Sequence, residues 1–327
     1  MRLRELSQTK LALGSNVTIS LITDIKIDKV EKIFEDLWHQ IFTFERNFSR
    51  FIPKSELTIF NRLQGIRTNI SPEFKNLLIS TKNMSIETDG LFNPFILPIL
   101  QKAGYMKSAV PGFENDAKID YTDRRIVGID KFEIGDDWAT IPYGTAIDIG
   151  GIGKGYLADQ LRETLDGLSI HGYWMSLGGD VATKGKDVGG NNLSLNIQNA
   201  HNLSEKTDWI IECPIRYSAT ATSGIFRRKN QFSNKTWHHI INPLTLEPAV
   251  TDVRLATVCA DTATRADVLA SCAVILGSKK APDFLKKHGV KSALLQCVNE
   301  KGKPFEKKFG TNIIKVNTEI IEVNSVD

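Results

Sequence analysis

TAIDIGGIGKGY, at residues 145–156, is the most informative local segment of the chain. Its apolar residues run into four glycines and a lysine, an order that predicts a strand, a tight loop and a helix that begins immediately afterwards. Glycines let the backbone approach a ligand closely. The amides at a helix start favour an anion, and Lys154 adds a positive charge. The segment therefore predicts a site for a phosphate or pyrophosphate.

Two nucleotide-binding patterns and an ordinary turn compete with this interpretation. A Walker A loop does not fit, because its first glycine falls on Asp148 and because Gly155 replaces the Ser or Thr that would hold magnesium. The spacing Gly153-x-Gly155-x-x-Ala158, with Asp180 at the end of the next predicted strand, does match a dinucleotide-binding fingerprint. Asp148 argues against that fingerprint, since it interrupts a strand that should be apolar on both faces. A nicotinamide site and a purely structural glycine turn both stay open at this point.

Outward from residues 145–156, predicted helices and strands are mixed along the chain. Strands are expected at 17–21, 173–177 and 193–197, and short strands with turns over 104–145. Periodic apolar positions and capping residues predict helices at 30–41, at 71–90, from the glycine cluster to 168, and at 261–277. Because strict strand–helix–strand alternation is absent, the pattern predicts an α+β fold rather than a doubly wound sheet.

Length and composition are typical of a folded protein. The chain has 327 residues, 41% of them hydrophobic and 24% charged. We expect one large mixed domain over 8–310, followed by a C-terminal edge strand or tail over 311–327. The net charge is only +3 and no long basic run is present, which argues against nucleic acid as a partner.

The cysteines and the apolar stretches indicate the cellular compartment in which we expect the protein. Cys213, Cys259, Cys272 and Cys297 are far apart without CxxC spacing, which predicts buried reduced thiols rather than a zinc cluster or disulfides. No apolar stretch approaches the roughly 20 residues that a transmembrane helix needs. The basic N-terminus is not followed by the apolar region of a signal peptide. We therefore expect a cytoplasmic protein without a membrane segment.

Two pairs of polar residues are further candidates for chemistry. Asp267 and Ser271 lie four residues apart on the predicted helix at 261–277, so they share a face and could hold magnesium together with phosphate oxygens and waters. An aspartate that favours the helix dipole is the ordinary alternative. His238 and His239 lie on a predicted strand and point to opposite faces, so one at most can serve a given site. Either histidine could equally be a hydrogen-bonded structural residue.

Eight short blocks in a fixed order resemble the FAD:protein FMN transferase family, also called ApbE-like proteins. They run collinearly from about residue 11 to 277 and cover most of the chain. The blocks are LGS at 13–15, FSRFIPKSELTIFN at 48–61, TDGLFNP at 88–94, DIGGIGKGY at 148–156, SLGGD at 176–180, ATSGIFRR at 221–228, HIINP at 239–243 and RADVLASCAVILG at 265–277.

The resemblance implies a single ApbE/T-fold-like domain, in which antiparallel sheets flanked by helices hold FAD in a cleft beside Mg²⁺. Positions that match flavin-contacting residues of the family are Leu13, Phe51, Leu91, Phe92, Asn93, Asp148, Lys154 and Ile241. Positions that match the metal ligands are Gly151, through its carbonyl oxygen, Asp267 and Ser271.

The resemblance also implies a reaction in which FAD is a substrate. A Thr or Ser hydroxyl of a client flavoprotein attacks the FMN-side phosphorus and AMP leaves, with His239 as the candidate that accepts the hydroxyl proton. The chain departs from the family pattern at several positions. Ser271 stands where Thr is usual, Asn93 and Asn242 where Asp is usual, Ile225 where an acidic residue is common and Gly153 where Ala is usual. These departures leave the implied metal ligands in place. They concern the catalytic rate and the choice of client protein.

Three other functions stay open on the sequence alone. An FAD pyrophosphatase would use the same metal and phosphate groups with water as the attacking group. A protein that binds FAD without turnover would account for the departures at Asn93, Asn242 and Ile225. A nicotinamide-dependent dehydrogenase would follow from the dinucleotide-binding fingerprint.

Overall fold

The computed structural model describes residues 2–102, 127–202, 206–226, 229–232 and 235–315. Most of the predicted stretch 104–145 and of the predicted tail lies outside these ranges. The helices are α1 Ile27–Phe48, α2 Glu56–Arg62, α3 Pro72–Glu87, α4 Leu97–Lys102, α5 Gly153–Asp166 and α6 Ala263–Lys287, with a 3-10 turn at Ile129–Lys131. Among the described residues, no helix combines the length and apolar character needed to cross a membrane.

The strands form one large antiparallel sheet and several small ones. They are β1 Arg4–Ala12, β2 Ser15–Thr23, β3 Thr68–Asn69, β4 Glu133–Ile134, β5 Trp138–Thr140, β6 Gly172–Leu177, β7 Asp180–Gly185, β8 Ser194–Gln198, β9 Lys206–Glu212, β10 Ser218–Gly224, β11 Lys229–Phe232, β12 Lys235–His238, β13 Ile241–Asn242, β14 Glu247–Pro248, β15 Val253–Ala260, β16 Ser292–Val298, β17 Pro304–Phe309 and β18 Ile313–Lys315.

The large sheet has eight strands in the order β1-β2-β6-β7-β10-β15-β16-β17. Three-stranded sheets form in the orders β18-β9-β8 and β3-β5-β4, and the pairs β11-β12 and β13-β14 form separate ribbons. Every paired strand in the described residues is antiparallel to its neighbour. The predicted α+β class is therefore confirmed, and the dinucleotide-binding interpretation is wrong, because its strand–helix–strand unit needs parallel strands.

The large sheet is covered on both faces. Alternate residues of its strands pack against α1, α5 and α6, as Ile19 and Met175 do beside Leu37, Leu161 and Leu269. The intervening residues point to the other face, where Ile22 and Leu294 pack on the β18-β9-β8 sheet through contacts with side chains that include Ile211. A second apolar core lies under α2 and α3, with Phe60, Phe74, Phe132 and Val268 among its members. Helix α6 contributes to the first and second of these cores.

Two tight turns lie side by side at one end of the large sheet. Leu13 and Gly14 join β1 to β2 with φ of 54° and 70°, and Gly178 and Gly179 join β6 to β7 with φ of 70° and 106°. Two-residue hairpin loops need positive φ at such positions, and glycine adopts it without strain. Leu13 does not have that freedom, so its conformation is one that neighbouring groups must hold.

The segment at 145–156 differs from its prediction in one respect. Residues 141–152 do not form a strand, and α5 begins at Gly153, inside the glycine cluster rather than after it. Asn61 explains the difference, because its side-chain amide hydrogen-bonds both the amide and the carbonyl of Ile147 at 2.9 Å. The next amide, that of Asp148, donates to the Pro94 carbonyl oxygen at 2.8 Å. These bonds replace a strand ladder, and their partners lie too far away in the sequence to be inferred from the local pattern.

The predicted helix at 261–277 is correct up to its end but incomplete. The chain leaves helical geometry at Gly277, where φ is 73°, and then resumes a helical course to Lys287. Asp252 makes this restart possible, because its carboxylate accepts the Ser278 amide at 2.8 Å and the Ser278 hydroxyl. The carboxylate therefore caps a second helical segment, and its distance in sequence explains why the prediction missed it.

Gly155 is required where α5 crosses α6, and this contact supports a prediction. A Cβ atom on Gly155 would lie 2.3 Å from the Ala263 carbonyl oxygen, whereas one on Gly153 would come no closer than 3.6 Å to Phe44. We expect Gly155→Ala to lower the free energy of unfolding by about 1–3 kcal/mol, as overpacking does. Gly153→Ala, at a position where the predicted resemblance implies Ala, should leave stability unchanged or raise it by up to about 1 kcal/mol. Urea unfolding of both variants checks this, and equal losses would contradict it.

Candidate active site

One cavity of about 580 Å³ opens at the end of the large sheet that carries the two tight turns. A volume of this size falls within the roughly 300–1,000 Å³ range of small-molecule and cofactor sites. Every residue that the sequence analysis assigned to a site lines it: Leu13, Phe51, Leu91, Phe92, Asn93, Asp148, Gly151, Lys154, His239, Ile241, Asp267 and Ser271. The fold thus brings together six separate parts of the chain, while the role of each residue stays a prediction.

A buried ion pair forms part of the cavity wall. The Arg50 Nε lies 2.7 Å from the Asp148 carboxylate, and both side chains are only 8% exposed. The Arg50 guanidinium also lies over the Phe51 ring, 4.2 Å from its centroid. The other Asp148 oxygen accepts the Gly150 amide at 2.7 Å. Arg50 therefore fixes Asp148 and Phe51 together. The sequence analysis missed its role, although Arg50 lies within the matching block at 48–61.

A second ion pair anchors the lysine of the glycine segment. The Lys154 ammonium bonds the carboxylate of Asp180, which is buried and which also accepts the Thr222 amide at 3.3 Å. Asp180 follows the Gly178–Gly179 turn directly, so the position of that turn sets the position of the lysine. In the sequence, Asp180 takes part in the rejected dinucleotide-binding pattern and ends the matching block at 176–180, but neither pattern indicates this contact. Its structural role is to hold Lys154 at the cavity wall.

The predicted metal ligands Gly151, Asp267 and Ser271 line the same cavity. Asp267 is 4% exposed, and its carboxylate accepts the Gly155 amide at a long 3.3 Å. The Ser271 hydroxyl lies one turn further along α6 and bonds the Ser223 hydroxyl at 2.9 Å. Gly151 lines the same cavity from the start of the glycine cluster.

This donor set fits one kind of cation. The described residues contain no group of three or more His, Cys, Asp or Glu side chains that could hold a metal by themselves. A carboxylate, a hydroxyl and a carbonyl are all hard oxygen donors, too few for calcium and unsuited to zinc. They do suit Mg²⁺, which completes its octahedral shell with waters and substrate phosphate oxygens. The burial of Asp267 with so weak a described partner is in keeping with such a site.

Glu45 supports the strained turn at the cavity mouth. It lies on α1 and lines the cavity, and its carboxylate lies near enough to the backbone amides of Leu13 and Gly14 for both to affect its pKa. Burial raises the pKa of the Glu45 carboxyl above its ordinary value, although the two amide donors act in the opposite direction. A carboxylate beside two successive amides favours the positive φ of Leu13. Nothing in the local sequence around Glu45 indicates this contact.

The two adjacent histidines have different surroundings, although only His238 lies on a strand and the prediction placed both there. His238 is buried, and its Nε2 donates to the Ala249 carbonyl oxygen at 3.1 Å. His239 follows the end of β12, is half-buried and lines the cavity. His238 therefore has a structural hydrogen bond, and His239 is the histidine of the pair that faces the candidate site.

The chain is similar to one known protein family over most of its length. Residues 13–295 match the model of the ApbE family. The chain belongs to the ApbE family. The matched range contains all the site residues that the sequence analysis proposed, so the predicted resemblance is confirmed.

Individual ApbE relatives agree with this assignment. The FAD:protein FMN transferase of Haemophilus influenzae is 25% identical over 272 residues, which cover 80% of this chain and 76% of that protein. The enzyme of the same name from Treponema pallidum is 30% identical over 151 residues, or 44% of this chain and 41% of that protein. The crystal structure of the flavinyl transferase ApbE of Pseudomonas stutzeri, in its apo form, has a TM-score of 0.78 at 19% identity. It covers 94% of this chain and 95% of that one, which shows that the two share a fold.

One departure from the ApbE pattern has a structural explanation and supports a prediction. The Asn93 side chain is 8% exposed, donates to the Val127 carbonyl oxygen at 3.0 Å and accepts the Phe95 amide at 2.9 Å. The usual aspartate could accept but not donate, so Asn93→Asp should destabilise the protein by about 1–3 kcal/mol. Asn242 uses only its oxygen in a described bond, accepting the Leu244 amide at 3.0 Å.

Asn242→Asp makes the same chemical change and serves as the control for Asn93→Asp. Since a carboxylate accepts the Leu244 amide equally well, we expect its effect to stay within about 0.5 kcal/mol. Thermal unfolding at neutral pH measures both variants. A loss at Asn242 that equals the loss at Asn93 would contradict the explanation.

Proposed function

We propose that this ApbE-family chain is a Mg²⁺-dependent FAD:protein FMN transferase, with residues 8–310 as its FAD-binding domain. It attaches FMN from FAD to a Thr or Ser hydroxyl of a client flavoprotein and releases AMP. One observation carries the proposal: residues from separate parts of the chain that match the family's flavin and metal positions all line a single cavity. The names of the Haemophilus influenzae and Treponema pallidum relatives support the same activity.

Apolar and aromatic side chains would hold the flavin. Leu13, Phe51 and Ile241 line the cavity together with Leu91 and Phe92, and such side chains bury large planar ligands well. Arg50 keeps Phe51 in place through its position over the ring, so the proposed stacking surface is pre-organised. Glu45 has a similar role for Leu13, since its carboxylate lies beside the amide of that residue.

Lys154 and the acidic residue of α6 would handle the pyrophosphate. Asp267, Ser271 and the Gly151 carbonyl would hold Mg²⁺, which when bound supplies charge neutralisation at the phosphate oxygens. Lys154 adds a positive charge on the same wall, and Asp180 keeps its ammonium at a fixed place. Charge builds up on the oxygens of AMP as it leaves, so a fixed cation there lowers the barrier to transfer.

His239 would accept the proton of the attacking hydroxyl. In the transfer a bond forms between the acceptor oxygen and the FMN phosphorus, while the phosphoanhydride bond to AMP breaks and AMP keeps the electron pair. The hydroxyl proton passes to His239, whose imidazole is half-buried and lines the cavity. The products are a phosphoester-linked flavoprotein and AMP, and no covalent bond to this chain forms.

Product analysis tests the proposal. The chain is incubated with FAD, with Mg²⁺ or EDTA, and with or without a carrier protein that displays random nonapeptides around a central threonine. We expect Mg²⁺-dependent AMP release and flavin fluorescence that stays on the carrier after denaturing electrophoresis. Free FMN plus AMP without a carrier would instead identify a pyrophosphatase. FAD that binds but yields no AMP under any condition would identify a flavin-binding protein and overturn the proposal.

A further inference from the structure

We define a second arm of the cavity by those lining residues that the proposed FAD and metal contacts do not use. It extends over the face of the large sheet opposite the helices, where Ser176, Thr220, Thr222 and Thr257 line it. Their strand neighbours, Ala219 among them, point into the core on the helix side, so these side chains point the other way. The floor of this arm is therefore lined by hydroxyl groups, among them Thr222 and Thr257, which bond each other at 3.0 Å.

The edge of strand β8 forms one side of this arm. Leu195, Asn196, Ile197 and Gln198 all line the cavity. Successive residues of a strand point to opposite faces, so a cavity that touches four in a row meets the strand along its edge. In the order β18-β9-β8 that edge carries no further strand among the described residues.

The pairing with β9 shows which backbone groups of β8 face the arm. The Cys213 amide bonds the Leu193 carbonyl at 2.8 Å, and Leu195 is paired with Ile211. Hydrogen-bonded pairs recur at every second residue of an antiparallel ladder, so Leu193 and Leu195 direct their backbone groups to β9. Ser194 and Asn196 therefore direct theirs away from β9, towards the open edge.

The open edge is held in a fixed position. Gln296, fully buried on β16, donates to the Gln198 carbonyl oxygen at 2.9 Å and accepts the Ala200 amide at 2.8 Å. The Thr207 hydroxyl donates to the Ile197 carbonyl oxygen at 3.2 Å. These bonds fasten the end of β8 to the large sheet and to β9, and none of them uses the backbone groups of Ser194 or Asn196. A rigid edge of this kind needs little ordering before another strand pairs with it.

We propose that the open edge of β8 binds the extended segment of the client protein that carries the acceptor hydroxyl. This inference rests on the proposed function, which requires a polypeptide hydroxyl to enter the same cavity that holds FAD. The client segment adds as a further strand, exchanging main-chain hydrogen bonds with Ser194 and Asn196. Its alternate side chains then lie over the hydroxyl-lined floor, which favours small and polar residues around the acceptor. Because this arm is continuous with the cavity that would hold FAD, we assign it to a client segment rather than to another occupant.

A proline at the open edge tests the proposal without altering the FAD contacts. Asn196→Pro removes an amide that faces away from β9, so the β8–β9 ladder keeps its bonds. Thr9→Pro is the matched control, because the Thr9 amide faces the outer edge of β1. That direction follows from the two-residue turn that Ala12 and Ser15 flank. The probe is the random nonapeptide that accepts FMN best. We expect Asn196→Pro to raise its KM at least about tenfold, equivalent to losing about 1.4 kcal/mol of binding.

Three further measurements make the outcome decisive. The Kd for FAD should stay within about twofold of the unaltered chain in both proline variants. N-methylation of the probe peptide backbone should impair transfer at every second residue, as strand pairing requires and side-chain recognition does not. If the chain sediments as a dimer that Asn196→Pro converts to a monomer while transfer continues, the edge pairs with a second copy and the proposal is overturned.

The failures of the two proposals are distinguishable. If the unaltered chain transfers FMN to no peptide and releases no AMP, the proposed function fails and this inference falls with it. If the unaltered chain transfers FMN and Asn196→Pro does so with the same KM, only the role of the β8 edge is overturned.

Discussion

Asp267→Ala should reduce the rate of AMP release from FAD at least about a hundredfold, because it removes the carboxylate among the proposed Mg²⁺ ligands. The Ser271 hydroxyl and the Gly151 carbonyl remain, but neither carries a net charge. Neutral oxygens alone hold Mg²⁺ weakly. Lys154 alone, without the proposed Mg²⁺, then balances the charge on the departing AMP. Single-turnover AMP release at saturating FAD measures the effect.

A second readout separates metal binding from general damage. Mg²⁺ that binds the folded state should raise the melting temperature of the unaltered chain and leave that of Asp267→Ala unchanged. The variant itself should be no less stable than the unaltered chain in EDTA, since a buried carboxylate with one long described hydrogen bond contributes little to folding. Asp283→Ala, an exposed carboxylate on the same helix, is the control.

The controls define what would contradict this prediction. Asp283→Ala should keep both the AMP release and the Mg²⁺-dependent melting shift. A shift that persists in Asp267→Ala would mean that the cation binds elsewhere. Full AMP release by Asp267→Ala would remove this carboxylate from the mechanism altogether.

Local patterns in the sequence are enough to predict several elements of this fold. The Ser71-Pro72 pair marks the start of α3, with the Ser71 hydroxyl accepting the Phe74 amide as an N-cap. The apolar period between Val30 and Ile41 lies within α1 and forms its buried face. These features depend on residues within a few positions of one another. That is why they can be inferred without knowledge of tertiary contacts.

The parts that the sequence did not reveal depend on partners far along the chain. The second segment of α6 needs Asp252, and the irregular course at Ile147 needs Asn61, 86 residues away. In the candidate site, the pairing of Arg50 with Asp148 and the support of Leu13 by Glu45 have the same long-range character. Motif matching located the residues that face the cavity. It did not reveal which charged residues hold them, because each such contact joins residues far apart in the sequence, even where a residue such as Arg50 lies within a matching block.

Asp159 is the strongest example of such a missed residue, and Asp159→Ala should lower the free energy of unfolding by about 3 kcal/mol. Its carboxylate accepts the amides of Ala263 and Thr264, both at 2.9 Å, and the Thr264 hydroxyl at 2.6 Å. The same carboxylate accepts the Tyr217 hydroxyl at 2.7 Å. It thus caps the first turn of α6 from the side of α5, at the end of the helix dipole that favours a negative charge.

Tyr217 adds to the expected loss. Burial, and after it the Asp159 charge, raise the pKa of the Tyr217 hydroxyl, which therefore stays protonated and donates. Without the carboxylate this hydroxyl, the Thr264 hydroxyl and the two helix amides lose their partner together. Each unsatisfied buried group costs about 1–3 kcal/mol before water compensates. The four losses share one cause, so they are not additive. That is why the expected total is well below their sum.

Asp166 provides a matched control on the same helix. Its carboxylate also accepts a tyrosine hydroxyl, that of Tyr173 at 3.2 Å, together with the Lys184 ammonium at 2.8 Å. Asp166 lies at the C-terminal end of α5, where the helix dipole disfavours a negative charge, and its side chain is 34% exposed. Asp166→Ala should therefore cost less than about 1 kcal/mol. Equal losses for the two aspartates in urea unfolding would contradict the capping role of Asp159.

Asp159 should also affect the proposed reaction, because it positions other residues of the site although it does not itself line the cavity. Thr264, which it holds, lies three residues before Asp267 on α6, while Asp159 itself lies five residues after Lys154 on α5. The carboxylate therefore couples the helix with the proposed metal ligand to the helix with the proposed phosphate cation. At a temperature where Asp159→Ala remains folded, we expect its apparent Mg²⁺ affinity to fall while the Kd for FAD in EDTA stays unchanged. A fall in both by the same factor would instead indicate general loosening of the cavity, and no fall in either would confine Asp159 to folding.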